Sequence, residues 1–231
     1  MFLKTQLEKL KDYELLHVKK FDKVLTVSEK DAYAVGMANF YNTFIVPNGC
    51  AIYDIEFIFK QNLLYVGSLD YPPNEDGLLW FLNEIFPKIK DNFPDIQFYI
   101  VGKNPPDKIK RFESSSIKVL GYVDDILPFY NRSSLFVVPL RIQGGASLKI
   151  LNAMSFKKCV LSTKIGAEGL GVEDNKNIFL ADDSEKFASK IISLLRNPDM
   201  AKAAAEKGYD LVRKKYDWKI ISENVRRILD M

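Results

Sequence analysis

The chain has 231 residues, 47% of them hydrophobic and 27% charged, proportions of a soluble globular protein with room for one large or two small domains. A net charge of +3 does not make nucleic acid the expected partner, although Lys202 to Arg227 carries eight basic against four acidic side chains. Cys50 and Cys159 lack metal-ligand spacing and suit free thiols, no apolar run is long enough to cross a bilayer, and the charged N-terminus does not fit a signal peptide; a cytoplasmic protein is expected.

In chain order, Lys4 to Lys20 is a charged helical stretch and Lys23 to Val27 a short strand. Ser28, followed by Glu29 and Asp31, is a good N-cap for a helix reaching to about Asn39. Phe44 to Val46 is a strand stopped by the turn Pro47-Asn48-Gly49. These elements bury little core by themselves. From Asn62 the pattern becomes regular. Leu63 to Val66 is an apolar strand ending at Gly67, and Pro72-Pro73-Asn74 opens a helix with Glu75 and Asp76 in its first turn. Leu78, Leu82, Ile85 and Ile89 give that helix a buried stripe, with Leu79 and Phe86 beside it. Ile96 to Val101 and Ile117 to Leu120 are strands closed by Gly102 and Gly121, with a looser stretch between them and an acid-started helix after them from Asp124 to about Asn131.

The strand Leu135 to Val138 leads through Pro139 to Ser147 into a helix with Leu148, Leu151 and Met154 at helical spacing. Between them, Gly144-Gly145 lets a ligand approach backbone just where a helix offers unpaired N–H groups. Arg141 and Lys149 flank the turn with cations, a chemistry suited to phosphate or diphosphate; the same residues also fit a plain strand-turn-helix with surface cations. Cys159 to Ser162 and Ile178 to Leu180 are further strands, separated by the glycine-rich loop Gly166 to Gly171. Asp183 or Ser184 caps a helix with Phe187, Ile191, Leu194 and Leu195 inside, Asn197-Pro198 ends it, and two helices follow, about Met200 to Lys215 and Trp218 to Leu229. This alternation predicts an α/β, Rossmann-like doubly wound parallel sheet with C-terminal helices and a ligand beyond the carboxyl ends of the strands.

Five loops open on that edge, and their ordered series Y-V-G-S-L-D-Y-P-P-N-E-D, I-V-G-K-N-P, G-Y-V-D-D, P-L-R-I-Q-G-G-A-S-L-K-I-L-N-A-M and S-T-K-I-G-A-E-G-L resembles the C-terminal donor-binding domain of family 4 glycosyltransferases of the GT-B fold. The resemblance runs from about residue 20 to the end. It implies three segments: residues 1–50 as a remnant of an N-terminal acceptor domain, 51–215 as the nucleotide-sugar domain, and 216–231 as a C-terminal helix. It further implies a nucleotide-diphosphate sugar as donor, a glycan or lipid-linked acceptor, no resident cofactor or metal, and a partner chain as one source of the missing N-terminal domain. A cytoplasmic location, peripheral at a membrane, goes with it.

Carried over by residue, the resemblance makes Arg141 and Lys149 the neutralisers of the diphosphate and Gly144, Gly145 and the N–H groups near Ser147 its cradle. Gly121 and Tyr122 would lie beside the base, Gly67 and Ser68 would face the phosphates, and Glu168 would face the cleft. The departures are specific. Gly144 and Asn152 stand where many relatives carry two glutamates, the second holding the ribose; Ser68 replaces a phosphate-binding arginine; Lys157 and Cys159 replace a glycine and a proline. Lys157 at a left-handed helix end would cost on the order of 1 kcal/mol. His17 reads as a solvated helix residue, Trp80 and Trp218 as core, and Asp70 and Asp76 as turn or helix-start residues that could also meet a sugar. A catalytic group is not identified. The expected activity is retaining sugar transfer in glycan or polysaccharide synthesis, with a non-catalytic remnant as the alternative.

Overall fold

The computed structural model describes residues 2–36, 42–142 and 147–231. Backbone contacts divide the chain into two compact units, residues 50–215 and residues 1–49 with 216–231. The second of these begins with α1 (Phe2–Val18), β1 (Val24–Thr26), α2 (Glu29–Gly36) and β2 (Thr43–Ile45). Ser28 starts α2 as its residue type demands, its Oγ accepting from the Asp31 amide at 3.1 Å and donating to the Asp31 carboxylate at 2.6 Å. The predicted continuation of this helix to Asn39 lies outside the described residues. The strands pair in parallel, Val24 opposite Thr43, and Leu25, Val27 and Ile45 stay exposed.

The larger unit holds β3 (Leu63–Val66), α3 (Pro72–Trp80), a π-helical turn (Phe81–Ile85), α4 (Phe86–Asn92), β4 (Phe98–Val101), α5 (Asp107–Lys110), β5 (Ile117–Gly121) and α6 (Leu127–Asn131). It continues with β6 (Leu135–Val138), α7 (Leu148–Ser155), β7 (Cys159–Ser162), a 3-10 turn (Ile165–Ala167), β8 (Phe179–Leu180), α8 (Ser184–Arg196) and α9 (Pro198–Lys215). All six strands are parallel, in the order β5-β4-β3-β6-β7-β8. The chain therefore starts in the middle, winds outward through β4 and β5, and returns to lay β6 on the other side of β3. The carboxyl ends of β3 and β6 form the switch point where a doubly wound sheet opens a crevice.

The stripe expected for the helix after β3 is buried as read, with Leu78, Leu82, Ile85, Phe86 and Ile89 in the core. That helix is not continuous, however. Pro87 has no N–H and crowds the carbonyl a turn before it, and the backbone widens into the π turn immediately upstream. Phe81 packs on Phe98 at 5.0 Å and edge-on to Phe187 of α8 at 5.9 Å, joining helix, sheet and α8 in one core. The Asp183 carboxylate accepts from the Lys186 amide at 2.8 Å and caps α8. One helix start differs from expectation. The helix after β5 begins at Leu127, three residues late, because Asp125 Oδ1 accepts the Leu127 amide at 2.9 Å and holds the preceding residues in a local turn. The helix after β6 begins at Leu148 with Ser147 at its N-cap.

The last helix, α10 (Trp218–Asp230), belongs with the smaller unit. Lys23 donates its ammonium to the carbonyls of Ile228 and Leu229, filling acceptors that the helix end leaves open. Trp218 is 54% exposed and not a core residue as its type suggested: its ring lies against Gly49, where a Cβ would come within 2.7 Å of Trp218 Cδ2.

Candidate anion site at the sheet's switch point

The site is built on three elements of the larger unit: the end of β3, the first turns of α3 and the start of α7. Gly77, inside α3, lets that helix press on the loop after β6, since a Cβ there would stand 2.3 Å from the Pro139 carbonyl oxygen. This close approach sets α3 residues against two cations from the β6 side.

The first is Lys149, in the opening turn of α7. Its ammonium donates to Asn74 Oδ1 at 2.5 Å and to the Tyr65 hydroxyl at 3.3 Å, and lies 5.2 Å from the Tyr65 ring centre. Asn74 is itself buried and donates Nδ2 to the Ser68 carbonyl at 2.8 Å. Gly67 lines the same cluster: a Cβ there would meet the Tyr65 hydroxyl at 3.0 Å and both Asn74 Nδ2 and the Lys149 ammonium at 3.3 Å. Burial is the one cause acting on Lys149, and it pushes the pKa down to about 8. Burial likewise raises the Tyr65 phenol, which stays neutral.

The second cation is Arg141. It makes a two-pronged ion pair with Asp76, Nε to Oδ2 at 2.9 Å and Nη2 to Oδ1 at 2.5 Å, and its guanidinium lies 5.7 Å from the Trp80 ring. Its hydrogen bond to the Asp76 carboxylate raises its pKa. Both side chains of the pair reach solvent. Ser147 completes the set. Its hydroxyl is buried at the N-cap of α7, accepts no capping bond, and has no partner among the described residues. A buried hydroxyl left open among the described residues at a helix N-terminus is a place for an anion's oxygens.

Of the residues singled out by sequence, Gly67, Ser68, Arg141, Ser147 and Lys149 thus stand at the adjoining ends of β3 and β6. Gly144 and Gly145 lie outside the described residues. Gly121 ends β5, two strands away, with its carbonyl accepting from the Gly102 amide at 2.8 Å; Tyr122 after it is 66% exposed under the Lys103 ammonium. Asn152 is exposed on α7, its carbonyl engaged by Phe156 and Ser155. Glu168 is exposed just past the 3-10 turn that follows β7. Asp70 accepts from Asn104 at 2.8 Å and acts in a loop contact. Sequence reasoning missed Tyr65 and Asn74 as site residues and the ties of Asp76 and Trp80 to Arg141. A lone glycine in a helical run, Gly77, was the available signal that α3 is approached closely.

Among the described residues no group of three His, Cys, Asp or Glu side chains could hold a metal ion, and no helix is long and apolar enough to cross a membrane.

Residues 60–197 match the model of the glycosyl transferases group 1 family, and the chain belongs to that family. An uncharacterized 44.6 kDa protein in the cps region of Klebsiella pneumoniae is 28% identical over 214 residues, which cover 89% of this chain and 55% of that protein. Among solved structures, a mutant of S. aureus TarM in complex with Fondaparinux, alpha-GlcNAc-glycerol and UDP superposes with a TM-score of 0.80 at 21% identity, covering 96% of this chain and 47% of TarM. Anabaena Alr3699/HepE in complex with UDP and glucose gives 0.73 at 18% identity, covering 90% of this chain and 63% of its own. The fold is that of the GT-B glycosyltransferases, and the chain spans about half the length of the curated relatives it matches.

Proposed function

We propose that this chain is the donor-binding half of a glycosyltransferase that uses a nucleotide-diphosphate sugar. The observation that carries the reading is that the start of α7, at the switch point of the sheet, carries both a buried Ser147 hydroxyl with no partner among the described residues and a Lys149 ammonium that meets the neutral groups Asn74 and Tyr65. Such a place stabilises negative charge that grows on a leaving diphosphate: the ammonium, the helix N–H groups and, after exchange of Asp76 for phosphate, the Arg141 guanidinium all point charge where it develops. Gly144 and Gly145 would complete the cradle, Gly67 and Ser68 would flank the phosphates, Gly121 and Tyr122 would lie along the base, Asn152 would meet the ribose, and Glu168 the sugar side of the cleft. The UDP of the two structural neighbours makes UDP the first donor nucleotide to test.

Acceptor binding, of a glycan or lipid-linked molecule, would fall to the half of the relatives' length that these 231 residues do not span, carried by a longer polypeptide or a partner chain. Residues 1–50, with the open β1–β2 pair, read as the end of that acceptor domain. The work is placed in the cytoplasm, at a membrane surface where the acceptor is lipid-linked, and needs no resident cofactor. Calorimetric titration with UDP, UDP-sugars and purine nucleotide-diphosphate sugars tests the reading. Saturable heat with one nucleotide class is expected, and no heat with any of them would overturn it.

A further inference from the structure

Asn74 opens α3 but faces inward, with only 6% of its surface exposed. Its amide is read at both ends: Oδ1 accepts from the Lys149 ammonium and Nδ2 donates to the Ser68 carbonyl. No other side chain of similar size does both. Turned over, the amide would face an ammonium with a donor and a carbonyl with an acceptor; an aspartate would confront the Ser68 carbonyl with a second lone pair. The Gly67 backbone closes the cluster from below, where a side chain would press on Asn74 and Lys149 together. Among the described residues the side chains that meet the ammonium are Tyr65 from β3 and Asn74 from α3, both uncharged, while Asp76, two residues after Asn74, is committed to Arg141.

We propose that Asn74 is the positioning residue of the anion site: its amide fixes the Lys149 ammonium against the β3–α3 loop and, being neutral, leaves the whole of that charge for the diphosphate. The inference rests on the donor-site reading above but makes a claim of its own, about what holds the lysine when no anion is present. A carboxylate at position 74 would hold the ammonium as well or better and would compete with the ligand for it. The amide separates positioning from neutralisation. The lowered pKa of Lys149 agrees with this, since its cause is burial and no carboxylate among the described residues enters to offset it.

The test follows the lysine and the ligand separately, in the full chain. Lysine-selective NMR without nucleotide should show Lys149 titrating near pH 8 in the native protein and at least one pH unit higher in Asn74→Asp. UDP titration at pH 7 should show Asn74→Asp weakened at least ten-fold, with an unchanged fold by circular dichroism. Asn74→Ala, smaller and uncharged, should leave Lys149 titrating within half a unit of the native value and bind UDP a few-fold more weakly, the cost of an unfixed ammonium. If Lys149 titrates alike with Asn and Asp at position 74, or if UDP affinity falls only in step with loss of fold, the inference is overturned. Native protein that binds no UDP, with Lys149 still following residue 74, would remove the nucleotide reading and leave the positioning role standing.

Discussion

The two ends of α7 each carry a lysine withdrawn from solvent, Lys149 half-buried and Lys158 buried, and they differ in what surrounds it. At the N-terminal end Lys149 is met by two oriented neutral groups, two residues after a serine whose buried hydroxyl has no partner among the described residues, on the edge of the sheet where ligands bind. At the C-terminal end the Lys157 amide bonds the Met154 carbonyl and the Lys158 amide bonds the Ala153 carbonyl, a pattern that closes a helix and ordinarily seats an apolar residue at the second position. Lys158 occupies that seat, buried, with its pKa lowered to about 8 by burial, as for Lys149. A costly charge is therefore no sign of function by itself. What separates the two is the set of groups built around the first, which fits an incoming anion and has no counterpart at the second among the described residues.

The largest effect expected is on ligand binding. Lys149→Met should weaken UDP binding by about 2 to 4 kcal/mol, roughly 30- to 1,000-fold, while stability changes little because relief of the buried charge is offset by an orphaned Asn74 oxygen. Lys158→Met should leave UDP binding alone and raise stability by about 1 to 3 kcal/mol. Both lysines have folded pKa values near 8 against 10.5 for an ordinary lysine, so the unfolded chain binds more protons between those pH values. Each thus contributes stability that rises with pH through that window, and denaturation of Lys158→Met at pH 7 and 10 should show part of the rise gone. UDP affinity should fall above pH 8, by up to about tenfold per unit, with the slope lost in Lys149→Met. A lysine swap that gave the two variants the same binding would erase the distinction.

How far this contrast was legible in sequence follows from the range of each interaction. Leu135 to Val138 announces a buried strand because every residue is apolar, and Gly144-Gly145 with Lys149 announces an anion-binding turn because helix ends and cations act locally. The resemblance placed a left-handed residue at Lys157, and its φ is +48°. Hidden were contacts made across the sheet. Asp76 and Arg141 are 65 positions apart, and Asn74 meets Lys149 from 75 positions away; nothing in local spacing pairs them. Trp218 read as core because its size favours burial, yet more than half of it is exposed. The π turn was within reach, since Pro87 sits inside a helical stripe and had to be absorbed somewhere.

A second way to sharpen the comparison adds a carboxylate on the exposed side of α7. Asn152→Glu places a charged acceptor where the resemblance puts the ribose contact, and should tighten UDP binding by about 1 to 2 kcal/mol, roughly 5- to 30-fold. Unchanged affinity in a protein that binds UDP would confine the site to the residues before Asn152.

Arg141 should matter less than Lys149, because its guanidinium must release Asp76 before it can serve a phosphate. Arg141→Ala is expected to weaken UDP binding by about 1 kcal/mol, and Asp76→Asn to tighten it by a few-fold while costing at most about 1 kcal/mol of stability, the usual worth of an exposed ion pair. Competition titrations of the two variants read both changes, and an Asp76→Asn protein that binds more weakly would show that Asp76 holds Arg141 in its working position.

The smallest effect lies at the far end of the helix and tests whether its strain is real. Lys157 takes φ +48°, a region where a side chain costs on the order of 1 kcal/mol, and part of that is returned by its ammonium, 4.7 Å from the centre of the Tyr209 ring. Lys157→Met removes the cation and keeps the strained backbone, so it should lose about 0.5 kcal/mol. Lys157→Gly removes both, and the relief at φ outweighs the added freedom of the unfolded chain, for a net gain of about 0.5 kcal/mol over the native protein. The difference between the two variants, about 1 kcal/mol by urea denaturation, isolates the backbone term. Neither change touches the groups around Lys149, and UDP affinity should be the same in both. A glycine variant no more stable than the methionine variant would mean that the helix end bears no strain, and that the lysine there is held by its contact with Tyr209.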